Sequence, residues 1–134
     1  REIDSLNILQ ATLLAMRRAV ARLPETPTLA MVDGNQNPGL GLRTELVIKG
    51  DALVPEISAA SIVAKVVRDR LMTRLAQRYP HYGWHSNAGY GSAVHRDAMA
   101  SIGVTAHHRR SFAPLRNWLE DPDKAHNVLR AMNA

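Results

Sequence analysis

Two short apolar runs that each close on an aspartate constrain this chain more than any other feature. Leu29-Ala30-Met31-Val32 leads into Asp33-Gly34-Asn35, and Leu46-Val47-Ile48 leads into Lys49-Gly50-Asp51. Short apolar runs bounded by turn residues read as strands. Gly50 permits a sharp departure from extended geometry. Pro55 and Glu56 suit the first turn of a helix, where a missing N–H costs little and a negative charge is favoured. Asp51 is therefore expected at a strand end facing a helix start, with Asp33 at the same edge of a sheet.

Two carboxylates about 4 Å apart would repel by roughly 4 kcal/mol at an effective dielectric near 20. A divalent cation between them removes that penalty, whereas burial without one forces protonation. Hard ions such as Mg²⁺ prefer oxygen ligands of this kind. The blander alternative is that each Asp only caps a turn or helix, since Asp-Gly is a common turn pair. Spacing alone leaves both readings open.

Before the first run, Leu6, Leu9, Leu13, Met16 or Arg17, Val20 and Leu23 recur at helical spacing, with Asn7, Gln10, Arg17 and Arg18 largely opposite. Asp4 or Ser5 can cap this helix, which runs to about residue 23 as an ordinary packing element, and Pro24 and Pro27 end it. Strands are expected over residues 28–32 and 44–48. The loop between them carries Pro38, Gly39 and Gly41, too irregularly spaced for a phosphate-binding glycine loop.

A long helix is expected over residues 58–78, with Val63, Val67, Leu71 and Leu75 on one apolar line. Ala59, Ala60 and Ala64 permit close packing on a sheet, and Lys65, Arg68 and Asp69 read as a solvated or salt-bridged face. Pro80 stops the helix. Residues 81–91 mix glycine, aromatic and polar groups as an exposed binding loop does. Trp84 reads as a packing anchor there, while Tyr90, between two glycines, is placed to present its ring to a ligand. Ser92 caps a short helix over 93–101 that Gly103 closes.

His107-His108-Arg109-Arg110-Ser111-Phe112 is the densest basic cluster. Adjacent histidines on an extended segment diverge and chelate poorly; the arginines suit phosphate or carboxylate pairing. Pro114 opens a short helix through Trp118, and Asp121-Pro122-Asp123 breaks it before a last helical turn or two over 124–132.

The 134 residues suffice for one ordinary domain. With 46% hydrophobic but only 4% aromatic residues, the core must be chiefly aliphatic. A formal charge of +5 is compatible with a polyanionic partner without identifying one. The absence of cysteine excludes disulfides and thiolate metal sites and makes a reducing cytoplasm the natural compartment. No apolar run is long enough to span a bilayer, and nothing has the form of a signal peptide. The chain opens on Arg1 with a helix pattern beginning almost at once, as expected of a piece of a longer chain.

Several of these segments together resemble ribonuclease HII, the bacterial type 2 ribonuclease H. The likeness runs through Ile3-Asp4, Leu6-Asn7-Ile8-Leu9-Gln10-Ala11-Thr12, Val32-Asp33-Gly34-Asn35, Lys49-Gly50-Asp51 and Ile57-Ser58-Ala59-Ala60-Ser61-Ile62. It continues in Ala64-Lys65, Arg68-Asp69, Gly89-Tyr90 and His108-Arg109-Arg110-Ser111-Phe112, in order and in register to about Trp118. The resemblance implies an α/β, ribonuclease H-like fold: a central mixed sheet flanked by helices, here an N-terminally truncated portion with a C-terminal helical extension. Residues 1–120 would be the catalytic domain in part, and 121–134 a helical tail.

By the same resemblance, the expected function is endonucleolytic hydrolysis of the RNA strand of RNA–DNA hybrids. Incision at ribonucleotides embedded in duplex DNA, as in ribonucleotide excision repair, is expected too, leaving a 3′-hydroxyl and a 5′-phosphate. Such enzymes hold Mg²⁺ or Mn²⁺ with four carboxylates, two of which correspond to Asp33 and Asp51. One metal activates a water for in-line attack and the other stabilises the leaving oxygen. Tyr90 would stack against the sugar at the RNA-to-DNA junction. Lys49 would contact the scissile region or balance charge, and Arg109 and Arg110 would engage phosphates. The full-length enzyme is expected to be cytoplasmic and monomeric, with no membrane association.

This sequence departs from the family pattern in lacking the Asp-Glu-x-Gly-Arg-Gly segment, which carries the other two carboxylates and reads the 2′-hydroxyl. The first strands and helix of the sheet are absent with it. Asn87-Ala88 stands where many relatives have His-Lys, and Gly91 replaces a frequent proline, a change expected to loosen the Tyr90 loop. The 134 residues alone are therefore expected to show weak or no activity. The strand over 28–32 should expose unpaired backbone and an apolar face, inviting aggregation or pairing with another chain. Two further readings compete: a non-catalytic nucleic-acid-binding module, and another metal-dependent nuclease or phosphotransferase of the same sheet architecture.

Overall fold

The computed structural model describes residues 2–113 and 115–121, in two compact units that divide between Lys65 and Val66. The first unit opens with two helices, α1 (Glu2–Leu6) and α2 (Ile8–Val20), where one continuous helix over 4–23 was expected. The break and the cap are both Asn7. Its backbone sits at φ 72°, and its side-chain oxygen accepts the Gln10 N–H at 3.0 Å. With ψ at 166° this is a conformation that residues bearing a side chain rarely adopt, and the short asparagine side chain offers an acceptor for an orphan helix-start donor. Asp4 and Ser5 consequently lie inside α1 rather than capping the helix. A two-pronged Arg18–Glu2 ion pair at 2.8 and 2.7 Å ties α1 to α2.

Strands β1 (Leu29–Asp33) and β2 (Arg43–Val47) pair in parallel, in register from Leu29↔Arg43 to Asp33↔Val47. Residues 34–42 carry the chain back without a helix of their own. Gly39 and Gly41 make that return at φ 68° and 73°, and the carbonyl of the buried Pro38 accepts the Arg17 Nη1–H at 2.8 Å. Val32 is buried, whereas Leu29, Met31 and Leu46 are exposed on their strands, and Ile48 just after β2 is 66% exposed. The sheet thus offers the apolar surface anticipated from the sequence. A single turn of helix, α3 (Gly50–Leu53), follows β2.

Helix α4 (Pro55–Arg78) starts three residues before the expected 58, with Pro55 as its first residue. Val54, held extended at φ −122° and ψ 114°, is the usual companion of a following proline. Along its middle, Ala59, Ala60, Val63, Ala64, Val67 and Leu71 are exposed. The packing on a sheet expected for those alanines is therefore not found among the described residues. Its first turn buries Ile57 near Gly50, and its last turns meet a core.

That core belongs to the second unit. Ala76 packs with Tyr82, Trp84, Ala98, Met99, Val104 and Leu115, and Met72, Leu75, Tyr79, Trp118 and Leu119 border them. A 3-10 turn (Pro80–Tyr82) and the short helix α5 (Trp84–Asn87) replace part of the open loop expected over 81–91. Trp84, 3% exposed and stacked on Tyr82 with centroids 5.0 Å apart, is the anchor the sequence suggested. Helix α6 (Ala93–Ile102) is capped by Ser92, whose hydroxyl accepts the His95 N–H at 3.2 Å, and is closed by Gly103 at φ 86°. Helix α7 (Leu115–Glu120) is the last described element of the unit. The helical turns expected over 124–132 lie outside the described residues. No helix among the described residues is long and apolar enough to cross a membrane.

Candidate active site

The parallel pairing brings the ends of β1 and β2 level, and the Gly34 N–H donates to the Val47 carbonyl at 2.9 Å. The chain then turns at Lys49, not at Gly50: Lys49 occupies the left-handed region at φ 59°, ψ 38°. Glycine at position 50 answers a different demand. It is buried, and a Cβ there would stand 2.6 Å from Ile57 Cδ1 and 3.3 Å from Val47 Cβ. That close approach directs the Gly50 N–H onto Asp33 Oδ1 at 2.8 Å. Asp51 is the next residue, exposed in the first turn of α3. Both aspartates therefore sit at one sheet edge, joined through a backbone bond to one of them.

One lone pair of Asp33 is taken by Gly50, leaving the remaining carboxylate sites for a ligand. Oxygen donors of this kind suit a hard divalent cation. They fit Mg²⁺ or Mn²⁺ in kind but fall short in number: among the described residues, no group of three or more Asp, Glu or His is gathered to hold a metal ion. Lys49 is exposed beside the pair.

The remaining sequence-flagged residues lie in the second unit. Tyr90 is 68% exposed, with the Arg68 guanidinium 4.9 Å from its ring centroid. The backbone around it is tied at several points despite Gly91. The Tyr90 N–H donates to the Asn87 carbonyl and the Ser92 N–H to the Tyr90 carbonyl, each at 2.8 Å. Asn87 accepts the Gly89 N–H at 2.8 Å and donates to the Tyr82 carbonyl at 2.8 Å and to Ser92 Oγ at 3.1 Å. Arg96 donates to the Gly91 carbonyl. Arg109 and Arg110 are exposed, and Arg109 lies over the Phe112 ring at 4.6 Å.

Sequence reasoning missed His95. It is buried on α6, with Nδ1 2.9 Å from the Tyr90 carbonyl and Nε2 3.1 Å from both Trp84 Nε1 and His108 Nε2. His108 pairs with a histidine 13 positions earlier. Burial, helped by the nearby His95, pushes the His108 imidazole down to about 4. Only the run Ser92-Ala93-Val94-His95, which places a histidine on the inner face of a capped helix, hinted at this pairing.

A small parallel sheet and several helices, with carboxylates at the sheet's edge, make an α/β protein consistent with a ribonuclease H-like fold. The family model described as Ribonuclease HII matches residues 1–115. Ribonuclease HII of Burkholderia mallei (strain SAVP1) is 58% identical over 115 residues, 86% of this chain and 54% of that protein. Ribonuclease HII of Burkholderia pseudomallei (strain K96243) matches to the same extent. That of Cereibacter sphaeroides (strain KD131 / KCTC 12085) is 57% identical over 119 residues, 88% of this chain and 56% of that protein. The chain belongs to the ribonuclease HII family, and it spans about half the length of the curated relatives it matches.

Proposed function

We propose that this chain carries part of the active site of a ribonuclease H. The reaction is hydrolysis of the RNA strand of RNA–DNA hybrids and incision at ribonucleotides in duplex DNA, leaving a 3′-hydroxyl and a 5′-phosphate. The observation that carries the proposal is the Gly50 N–H bond to Asp33 at 2.8 Å, which draws the end of β1 against the residue preceding Asp51. Asp33 and Asp51 would hold Mg²⁺ or Mn²⁺, which when bound polarises the phosphate and activates water.

The chain's other residues bind and orient. Tyr90 offers an exposed aromatic face to the sugar at the junction. Arg109, its guanidinium over the Phe112 ring, would pair with phosphates, as would Arg110 and Lys49. Binding is expected to weaken with salt as counterions are exchanged. The cysteine-free composition suits work in the cytoplasm, with the full-length enzyme acting as a monomer.

Two carboxylates are too few for the complete site, so the purified 134-residue chain should cleave a hybrid weakly or not at all. Wild-type-like hydrolysis by this chain alone would refute that. The decisive comparison is Asp33→Asn in a chain extended by an Asp-Glu-x-Gly-Arg-Gly segment. Loss of cleavage with hybrid binding retained supports catalysis, whereas unchanged behaviour reduces the chain to a binding module. Comparing hybrid, single-ribonucleotide duplex and pure DNA as substrates separates a ribonuclease H from another metal-dependent nuclease.

A further inference from the structure

The hydrogen bonds around His95 and His108 admit one consistent assignment of protons. The Thr105 N–H donates to His108 Nδ1 at 3.0 Å, so that nitrogen is bare and neutral His108 carries its proton on Nε2. The Thr105 hydroxyl, accepting the His107 N–H at 3.2 Å, can add its own proton toward the same nitrogen at 3.1 Å. His108 Nε2–H then points at His95 Nε2, 3.1 Å away, which also receives the Trp84 indole N–H at 3.1 Å. With two donors aimed at it, His95 Nε2 is bare. The His95 proton is therefore on Nδ1, 2.9 Å from the Tyr90 carbonyl oxygen, where only a donor is useful.

We infer that His95 is a positioning residue for Tyr90: buried between Trp84 and His108, it donates from Nδ1 to the Tyr90 carbonyl and so fixes the backbone that presents the exposed ring. The reasoning rests on the proposed function only for what Tyr90 does once held. Tyr90 owes little to burial of its own ring, so its placement comes from its backbone, which the His95 bond joins to the aromatic core alongside the bonds of Asn87 to the Tyr90 N–H and the Tyr82 carbonyl. The chain of donors from Thr105 through His108 and His95 to Tyr90 also couples the segment just before Arg109 and Arg110 to the Tyr90 loop. Two regions far apart in sequence are thereby set in one geometry.

Two substitutions in the 134-residue chain separate positioning from simple core packing. His95→Asn keeps an N–H donor at the δ position and gives up the ε acceptor. His95→Gln keeps an ε acceptor for Trp84 and His108 and gives up the δ donor. Amide hydrogen exchange at Tyr90 and Ser92, followed by NMR, should accelerate about fivefold to tenfold in His95→Gln, as for one lost hydrogen bond. It should stay within about twofold in His95→Asn by the same scale. Equal acceleration in both, or acceleration in His95→Asn alone, overturns the inference.

The parent chain supplies a test that needs no variant: ¹⁵N shifts of the His95 ring should show a protonated Nδ1 and a bare Nε2, and the opposite tautomer overturns the assignment. Affinity for a duplex with an RNA-to-DNA junction, relative to all-DNA duplex, should fall in His95→Gln and hold in His95→Asn. A parent chain with no junction preference, indifferent to Tyr90→Ala, counts against the proposed function, while the exchange data still decide the His95 bond.

Discussion

Gly50 donates its backbone N–H to Asp33 Oδ1 at 2.8 Å, so a residue of the second strand's turn sets the carboxylate that ends the first. Asp33→Asn keeps an acceptor oxygen but loses the charge, and should cost only about 0.5–1 kcal/mol of stability. Asp33→Ala strands the donor of the buried Gly50 and should cost about 1–3 kcal/mol. Both should weaken Mn²⁺ binding on the order of tenfold or more, the equivalent of about 1.4 kcal/mol. Urea unfolding and calorimetric titration of Mn²⁺ into each variant check the two effects separately.

Position 49 bears the backbone strain and position 50 the crowding. Lys49→Gly relieves a left-handed conformation at φ 59° and should stabilise the chain by up to about 1 kcal/mol. Gly50→Ala should destabilise by about 1–3 kcal/mol as the new methyl forces Ile57 aside. If Lys49 contacts phosphate, Lys49→Gly will also weaken hybrid binding and flatten its salt dependence. If it only balances charge, affinity will hold while stability rises. Thermal melts and binding at two salt concentrations distinguish the cases.

The strands, the first-turn character of Pro55 and Glu56, and the Ser92 and Gly103 caps were legible because each depends on residues within a few positions. Asp-Gly, Val-Pro-Glu and Ser-x-x-His announce their own local geometry. What escaped depends on distance in sequence. Nothing near Gly50 tells of Ile57, so its glycine reads as a turn former when it is a spacer. The sequence lets His108 be weighed only against its neighbour His107, because its partner His95 is 13 residues away. The exposed middle of α4 is the opposite failure: Ala59, Ala60 and Ala64 have the form of a packing face, and their local pattern could not say whether a partner element covers them. The motif likeness reached what periodicity could not, the assignment of Asp33 and Asp51 to one expected site.

Tyr90 contributes an exposed ring rather than a packed one, being 68% accessible with Arg68 4.9 Å from its centroid. Tyr90→Ala should therefore shift stability by no more than about 0.5 kcal/mol, as for most surface changes. It should lower affinity for a junction-bearing duplex by roughly fivefold or more, a stacking loss of about 1 kcal/mol or above. Arg68→Ala tests whether the cation holds the ring or competes with the sugar for it: weaker binding indicates the first, tighter binding the second. Fluorescence anisotropy with junction and all-DNA duplexes reads both.

His108 should make stability depend on pH across a window set by its own depression. The folded imidazole titrates near 4 against an ordinary 6.5, because burial and the neighbouring His95 disfavour its cation. Between those values the unfolded chain binds more protons than the folded one, so stability rises with pH there. The contribution is present in full above about pH 6.5, falls as pH drops, and levels out below about 4. Its size should be on the order of 2–3 kcal/mol, since His108 is only partly buried. The groups facing it are His95 from α6, Tyr82 and Trp84 beneath it, and Thr105 and His107 on its own segment. His108→Gln removes the titrating group while keeping a donor toward His95, and should flatten the profile between pH 4 and 6.5 more than it lowers stability at pH 7. Urea unfolding of parent and variant at pH 4.5, 5.5 and 7 measures this. A parent profile that is flat over that range would mean that the folded state accommodates the His108 cation as readily as water does.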